Sequence, residues 1–104
     1  MDPYMIIREA ILNKHLIVAN YDGYERHMCP HVLGVKNGKF QALFYQFGGG
    51  SRSGLGPEGS PENWRCITLS KLTNVSSYEG AWHTAPNHSR PQTCVGRIDV
   101  EVTY

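Results

Sequence analysis

What this sequence lacks removes several large classes. It has no apolar run approaching the roughly 18 residues of a membrane-spanning helix. Its start, Met1-Asp2-Pro3, has neither a basic n-region nor an apolar h-region, so no secretory signal is expected. Charge of one sign is scarce: 10 Lys and Arg face 9 Asp and Glu, a net charge of +1. That balance argues against a broad phosphate-binding face, although it leaves room for a local basic pocket. Cysteine is scarce and odd in number, three in all, which does not read as a disulfide framework. The expectation is a cytoplasmic protein with reduced thiols. There is no Cys-x-x-Cys anchor for zinc, no Gly-x-x-x-x-Gly-Lys-Ser/Thr phosphate loop, no local catalytic signature and no internal repeat.

What is present bounds the rest. A chain of 104 residues, 40% apolar and 18% charged, suffices for one core and is too short for two. Asp2-Pro3 is a helix-start signal, and Tyr4 to Lys14 reads as a short helix with Ile6, Ile7, Ala10, Ile11 and Lys14 on one face. Leu16 to Tyr21 reads as a strand, and Asp22-Gly23 as a hairpin turn. Tyr24 to Cys29 returns as a second strand, interrupted by Pro30 or placed by it at an edge. His31 to Val35 is expected as a third strand. Asn37-Gly38 then turns the chain into a fourth, Lys39 to Gln46.

A long Gly/Ser loop, residues 47–63, separates that strand from a fifth, Trp64 to Leu69. Loops of this length in small domains are usually functional or disordered. Val75 to Tyr78 is expected as a short sixth strand, followed by coil from Glu79 to Cys94. From Arg97 to Tyr104 the pattern alternates, with Ile98, Val100, Val102 and Tyr104 on one side. This last strand either closes the fold or pairs with another subunit's edge to form a homodimer. The fold class expected is mainly β with one N-terminal helix (α+β), a small antiparallel barrel of SH3 or Sm type.

Several side chains bear on function. Arg65 shares parity with Ile67 and Leu69, so it points toward the barrel mouth if those two face the core. A guanidinium there suits a phosphate or carboxylate; the alternative is an end-of-strand ion pair with Glu25 or Glu62. Arg26 and His31 flank Pro30 and with Arg65 could form a small positive pocket, unless Arg26 is a solvated edge charge. Tyr45 and Gln46 offer a stacking face and an amide suited to a nucleobase; the alternative is ordinary packing, with Gln46 bonding the loop backbone. Ser51 and Ser53, with Gly48 to Gly50, could present N–H groups to an anion, or simply belong to a flexible loop. A weaker alternative takes His27, Cys29 and His31 as metal ligands completed by His83, His88 or Cys94. Cys66 reads as a small core or half-buried residue.

The ordered set Ile17-x-x-x-Tyr21, Arg26-x-x-x-Pro30-His31-x-Leu33-Gly34, Asn37-Gly38-x-Phe40, Tyr45-Gln46 and Trp64-Arg65-x-Ile67-x-Leu69-x-Lys71-Leu72 resembles the WYL domain family. The resemblance covers about residues 4–78 of a single domain, residues 1–104, and leaves 79–104 as an extension. The family's Trp-Tyr-Leu triplet falls on Phe40-Gln41-Ala42, and Cys29 stands where an acidic residue is common. The resemblance implies a Sm- or SH3-like barrel that senses a nucleotide or other small anionic ligand, with Arg26 and Arg65 matching the family's arginines. No helix-turn-helix lies in these residues, so only the sensing module is implied, not DNA-binding regulation. The expected function is therefore a non-enzymatic ligand-binding or regulatory module of bacterial type. It needs no cofactor, contacts no membrane and works with a separate effector protein. The alternative is a module that binds single-stranded nucleic acid or protein, and a small Cys-based enzyme ranks below both.

Overall fold

The computed structural model describes residues 2–50, 54–56, 63–83 and 94–102. Helix α1 spans Pro3–Asn13. Its start follows the local signal: the Asp2 carboxylate accepts from the Tyr4 N–H at 2.7 Å, and Pro occupies the first position. Its end does not need glycine, because Lys14 takes the left-handed conformation and closes the last turn. Lys14 is thus a cap, not a member of the apolar face, which comprises Ile7, Ala10 and Ile11.

Six strands follow among the described residues: β1 (Leu16–Tyr21), β2 (Tyr24–Lys36), β3 (Lys39–Gly49), β4 (Trp64–Thr68), β5 (Thr73–Tyr78) and β6 (Arg97–Glu101). Both tight hairpins form as their sequences require. Asp22, Gly23, Asn37 and Gly38 all have positive φ, the signature of two-residue turns that match strand twist. A 3-10 turn, Leu69–Lys71, takes the end of the expected fifth strand and leads into β5.

All pairings are antiparallel, in the order β4-β3-β2-β1-β5, with β6 attached to β2 beside this path. The sheet is mainly antiparallel and open, with β4 and β5 at its ends. β2 is one strand, not two. Pro30 lies inside it, opposite Phe44, with a register shift between Pro30 and Val32. A proline is tolerated because its other side falls in a gap: pairing with β1 ends at Met28, and pairing with β6 begins at Val32. The Cys29 carbonyl here accepts from Nδ1–H of His31 at 2.9 Å. The last strand finds its partner within the chain, along the second half of β2. Gly34 makes that approach feasible, since a Cβ there would lie 2.0 Å from the Arg97 carbonyl oxygen.

The sheet is buried on both faces over its central strands. On the inner face, α1 covers a core that includes Ile17, Met28, Leu33, Phe44, Ile67 and Val100. On the outer face, Leu16, Cys29 and Tyr45 lie under Tyr78 and Trp82, while Val32 and Leu43 meet Cys94 and Val95. Double coverage explains why β2 and β3 carry apolar residues at consecutive positions, a pattern that parity alone leaves ambiguous.

The cysteine expectation is corrected. Cys66 and Cys94 form a disulfide with Cα atoms 5.6 Å apart, leaving Cys29 as the free thiol. Cys66 is exposed on β4 rather than in the core. The bond staples the segment preceding β6 across the outer face. Gln41 of β3 reinforces it, donating to the Cys94 carbonyl at 2.7 Å and accepting from the Thr68 hydroxyl at 3.0 Å. A spacing of 28 residues hides this pairing from local inspection. Among the described residues no helix is long and apolar enough to cross a membrane.

Candidate functional site

Parity along the strands sorts the candidate residues into two groups. On β3, Gln46 alternates in step with Phe44 and Ala42, which are core residues of the inner face. On β4, Arg65 pairs with Phe44 and Ile67 with Ala42, so Arg65 continues the same inner row. On β2, Arg26 precedes Met28 by two and joins that row at its open end. Arg26, Gln46 and Arg65 are therefore brought to one end of the inner face. His31 and Tyr45 are on the outer face with Cys29, and do not join them.

Arg26 is 3% exposed, with β1 on one side and β3 on the other, and is not a solvated edge charge. Its Nε–H donates to the Tyr21 carbonyl at 3.2 Å, and Nη1 donates to Gln46 Oε1 at 3.4 Å. Its guanidinium lies over the Tyr21 ring at 4.7 Å, with the half-exposed Tyr24 ring at 5.9 Å. No carboxylate among the described residues forms an ion pair with it, although the nearby Asp22 charge partly offsets its burial. Burial pulls its pKa below the ordinary arginine value, and the neighbouring Arg65 charge adds to the effect. The two guanidinium groups thus disfavour each other's charged form.

The surroundings hold the groups in place. Gln46 is fully buried, and its amide donates to the carbonyls of Gly48 and Gly50, both at 3.0 Å, which turns its oxygen toward Arg26. The chain can return this closely only through Gly49: it has φ +82°, and a Cβ there would lie 2.0 Å from the Glu25 carbonyl oxygen. Arg65 donates to the carbonyls of Trp64 at 3.2 Å and Gly54 at 3.1 Å. Asn63, 2% exposed, exchanges two hydrogen bonds with the Gly56 backbone. The described part of the loop is thus tied to the strand that follows. Ser51 and Ser53 lie outside the described residues.

The remaining candidates lie away from this cluster. Tyr45 is fully buried and packs edge-on to Trp64 at 5.0 Å, so it is no stacking platform for a ligand. His31 is also fully buried, between Trp64 at 4.7 Å and Trp82 at 5.0 Å. His27 sits 2.9 Å from the Tyr78 hydroxyl and 3.3 Å from Glu25. The metal alternative is not assembled: no three His, Cys, Asp or Glu groups converge among the described residues, and His88 lies outside them. The Cys29 thiol accepts from the His83 N–H at 3.2 Å, and burial pushes its pKa up to about 12, so it stays protonated.

Sequence reasoning missed Tyr21 and Tyr24 beside Arg26. A signal existed, because Tyr24 and Arg26 alternate on one strand and the hairpin returns Tyr21 opposite Tyr24. It also missed the hairpin end of the same face, where α1, the β2–β3 turn and the 3-10 turn border an open groove.

The fold and this cluster define a class: a mainly antiparallel α+β domain with a partly desolvated cationic end. Comparison with family models, with curated proteins and with solved structures finds no match to this chain.

Proposed function

We propose that this protein is a non-enzymatic ligand-binding module that takes a small anion, nucleotide-like in class, at the Arg26–Gln46–Arg65 end of its inner face. The observation that carries this reading is Arg26: a buried guanidinium without a carboxylate partner among the described residues, beside a second guanidinium. Burying a charge without an ion-pair partner costs several kcal/mol in general, and a bound anion would offset what the local hydrogen bonds and rings leave uncompensated. Tyr21 and Tyr24 add ring faces next to the charge, which suits a ligand with a flat portion.

The WYL-like reading, and with it the SH3/Sm-type barrel, draws support from the order of elements. A helix precedes an antiparallel meander, and a 3-10 turn sits between the two strands that a barrel would bring together. A non-catalytic role draws support from the cysteines, two of them in a disulfide and the third held as a buried thiol. A module of this kind acts through a separate effector protein. The disulfide requires oxidising conditions to persist, so the cytoplasmic assignment loses the reduced thiols on which it rested.

Calorimetric titration with inorganic phosphate, adenosine monophosphate and adenosine tests the proposal. The expected result is saturable binding of the phosphorylated compounds, weakened tenfold or more by Arg26→Met and by Arg65→Ala. Equal binding of adenosine, or binding unchanged in both variants, overturns it. Binding only to single-stranded oligonucleotides, with a steep salt dependence, would replace it with the nucleic-acid reading.

A further inference from the structure

The inner face has a second end, and its chemistry is different. The first turn of α1, the tip of the β2–β3 hairpin and the 3-10 turn after β4 border a groove of about 650 Å³. That volume lies within the roughly 300–1,000 Å³ typical of small-molecule sites. Its walls are Pro3, Tyr4, Phe40 and Leu69. Phe40 is 54% exposed and Leu69 is buried, so the groove presents an apolar surface that continues into the core.

The walls are held from behind. The Tyr4 hydroxyl donates to Asp99 of β6, and Arg8 pairs with the same carboxylate at 3.4 Å. The Tyr4 ring meets the Phe40 ring at 4.8 Å with a 56° tilt. Phe40 is positioned by the Asn37-Gly38 turn, and Leu69 by the 3-10 turn, whose closing bond runs from the Leu72 N–H to the Leu69 carbonyl at 3.0 Å. A preformed apolar cleft costs little ordering when a ligand enters.

The rim carries two charges with different commitments. Asp2 caps α1, so its carboxylate is matched by the Tyr4 N–H and by the positive end of the helix. Lys39 is exposed and has no ion-pair partner among the described residues. The charge left to be complemented is therefore positive, beside an apolar floor.

We propose that this groove binds an amphiphilic carboxylate, its apolar body against Tyr4, Phe40 and Leu69 and its carboxylate at Lys39. The site is separate from the arginine end, and the proposal stands whether or not that end binds an anion. Along β3, Phe40 and Gln46 are six residues apart, about 20 Å of strand.

The test uses 2-naphthoate as probe and 2-naphthalenemethanol as its uncharged counterpart, followed by amide chemical shifts of the oxidised protein. The expected result is saturable 1:1 binding of 2-naphthoate, with the largest shifts at Tyr4, Phe40 and Leu69. Phe40→Ser and Lys39→Glu each weaken it tenfold or more, whereas Arg26→Met leaves it unchanged. The alcohol should bind more weakly than 2-naphthoate to the wild type and equally to wild type and Lys39→Glu. Both substituted positions are exposed, and circular dichroism verifies that the variants are folded. No saturable binding, or shifts centred on Arg26, overturns the proposal. So does self-association in sedimentation that Phe40→Ser abolishes, which would make the groove an interface between copies of this chain.

Discussion

The inner face of the sheet ends in two opposite ways, although one row of β3 side chains runs from one end to the other. That row begins with exposed Phe40, passes the buried Ala42 and Phe44, and finishes at buried Gln46. At the hairpin end an aromatic ring is left in water. At the loop end a guanidinium and an amide are taken out of it. Exposed apolar residues are common, and a buried charge is rare, so the loop end departs further from the usual distribution. The hairpin end becomes informative only because Tyr4 and Leu69 join Phe40 in one groove. One sheet can therefore end in two surfaces of different chemistry, because strand parity delivers residues to a face without deciding how that face ends.

The comparison can be broken or sharpened by substitution, and the largest effect is expected from the staple. Replacing Cys66 and Cys94 by serine should cost about 3.5 kcal/mol, the chain-entropy value for a closed loop spanning 28 positions. Thermal unfolding with and without reductant measures it, and both ends should weaken together because the bond lies across the outer face that backs them. Next comes Gly49→Ala, at roughly 3 kcal/mol, since φ +82° and a Cβ 2.0 Å from the Glu25 carbonyl force the loop away. Denaturant melts should show the loss. Phosphate binding should fail while the hairpin groove keeps its probe; loss of both would show that the ends are coupled.

Alkaline pH acts on a third region and on one end. Burial pushes Cys29 from 9.0 up to about 12, and burial with the Asp99 contact pushes Tyr4 from 10.0 up to about 12. Both groups release protons sooner from the unfolded chain than from the folded one. Their contribution is thus fully present below pH 9 and is lost as pH climbs toward 12. The midpoint of thermal unfolding should fall across that window. Cys29→Ala should flatten the fall from pH 9 upward, and Tyr4→Phe from pH 10 upward.

Two smaller effects separate stability from binding. Arg26→Met should destabilise by about 1–2 kcal/mol, because it leaves the buried Gln46 Oε1 and the Tyr21 carbonyl short of a donor while removing a charge that is costly to bury. The same variant should lose anion binding; a large destabilisation instead would identify Arg26 as a structural hydrogen-bond hub. Phe40→Ser should change stability by less than about 0.5 kcal/mol, as an exposed position away from the core. Urea midpoints distinguish these outcomes.

Elements governed by neighbours in sequence were legible in advance. Asp2-Pro3 started the helix, Asp22-Gly23 and Asn37-Gly38 turned the hairpins, and the Arg65, Ile67 and Leu69 series faces the inner side. The packing alternative for Tyr45, and the burial of His31, could not be chosen from parity, because the outer face of an antiparallel sheet usually meets water and here it meets Trp64, Tyr78 and Trp82. Pro30 misled because a proline in a strand usually marks an edge, and the gap between β1 and β6 supplies a local edge inside a central strand.

By itself, the sequence determined one helix, two tight turns and the alternation that places Arg65 in step with core residues. Each depends on φ preferences and periodicities that act over a few residues. Only the tertiary structure decided that the outer face is roofed, that Cys66 meets Cys94, that β2 runs through Pro30, and that Arg26 is buried while Phe40 is not. Those outcomes depend on which distant segments come to lie against the sheet, and burial is a property of the covering segment as much as of the residue it covers.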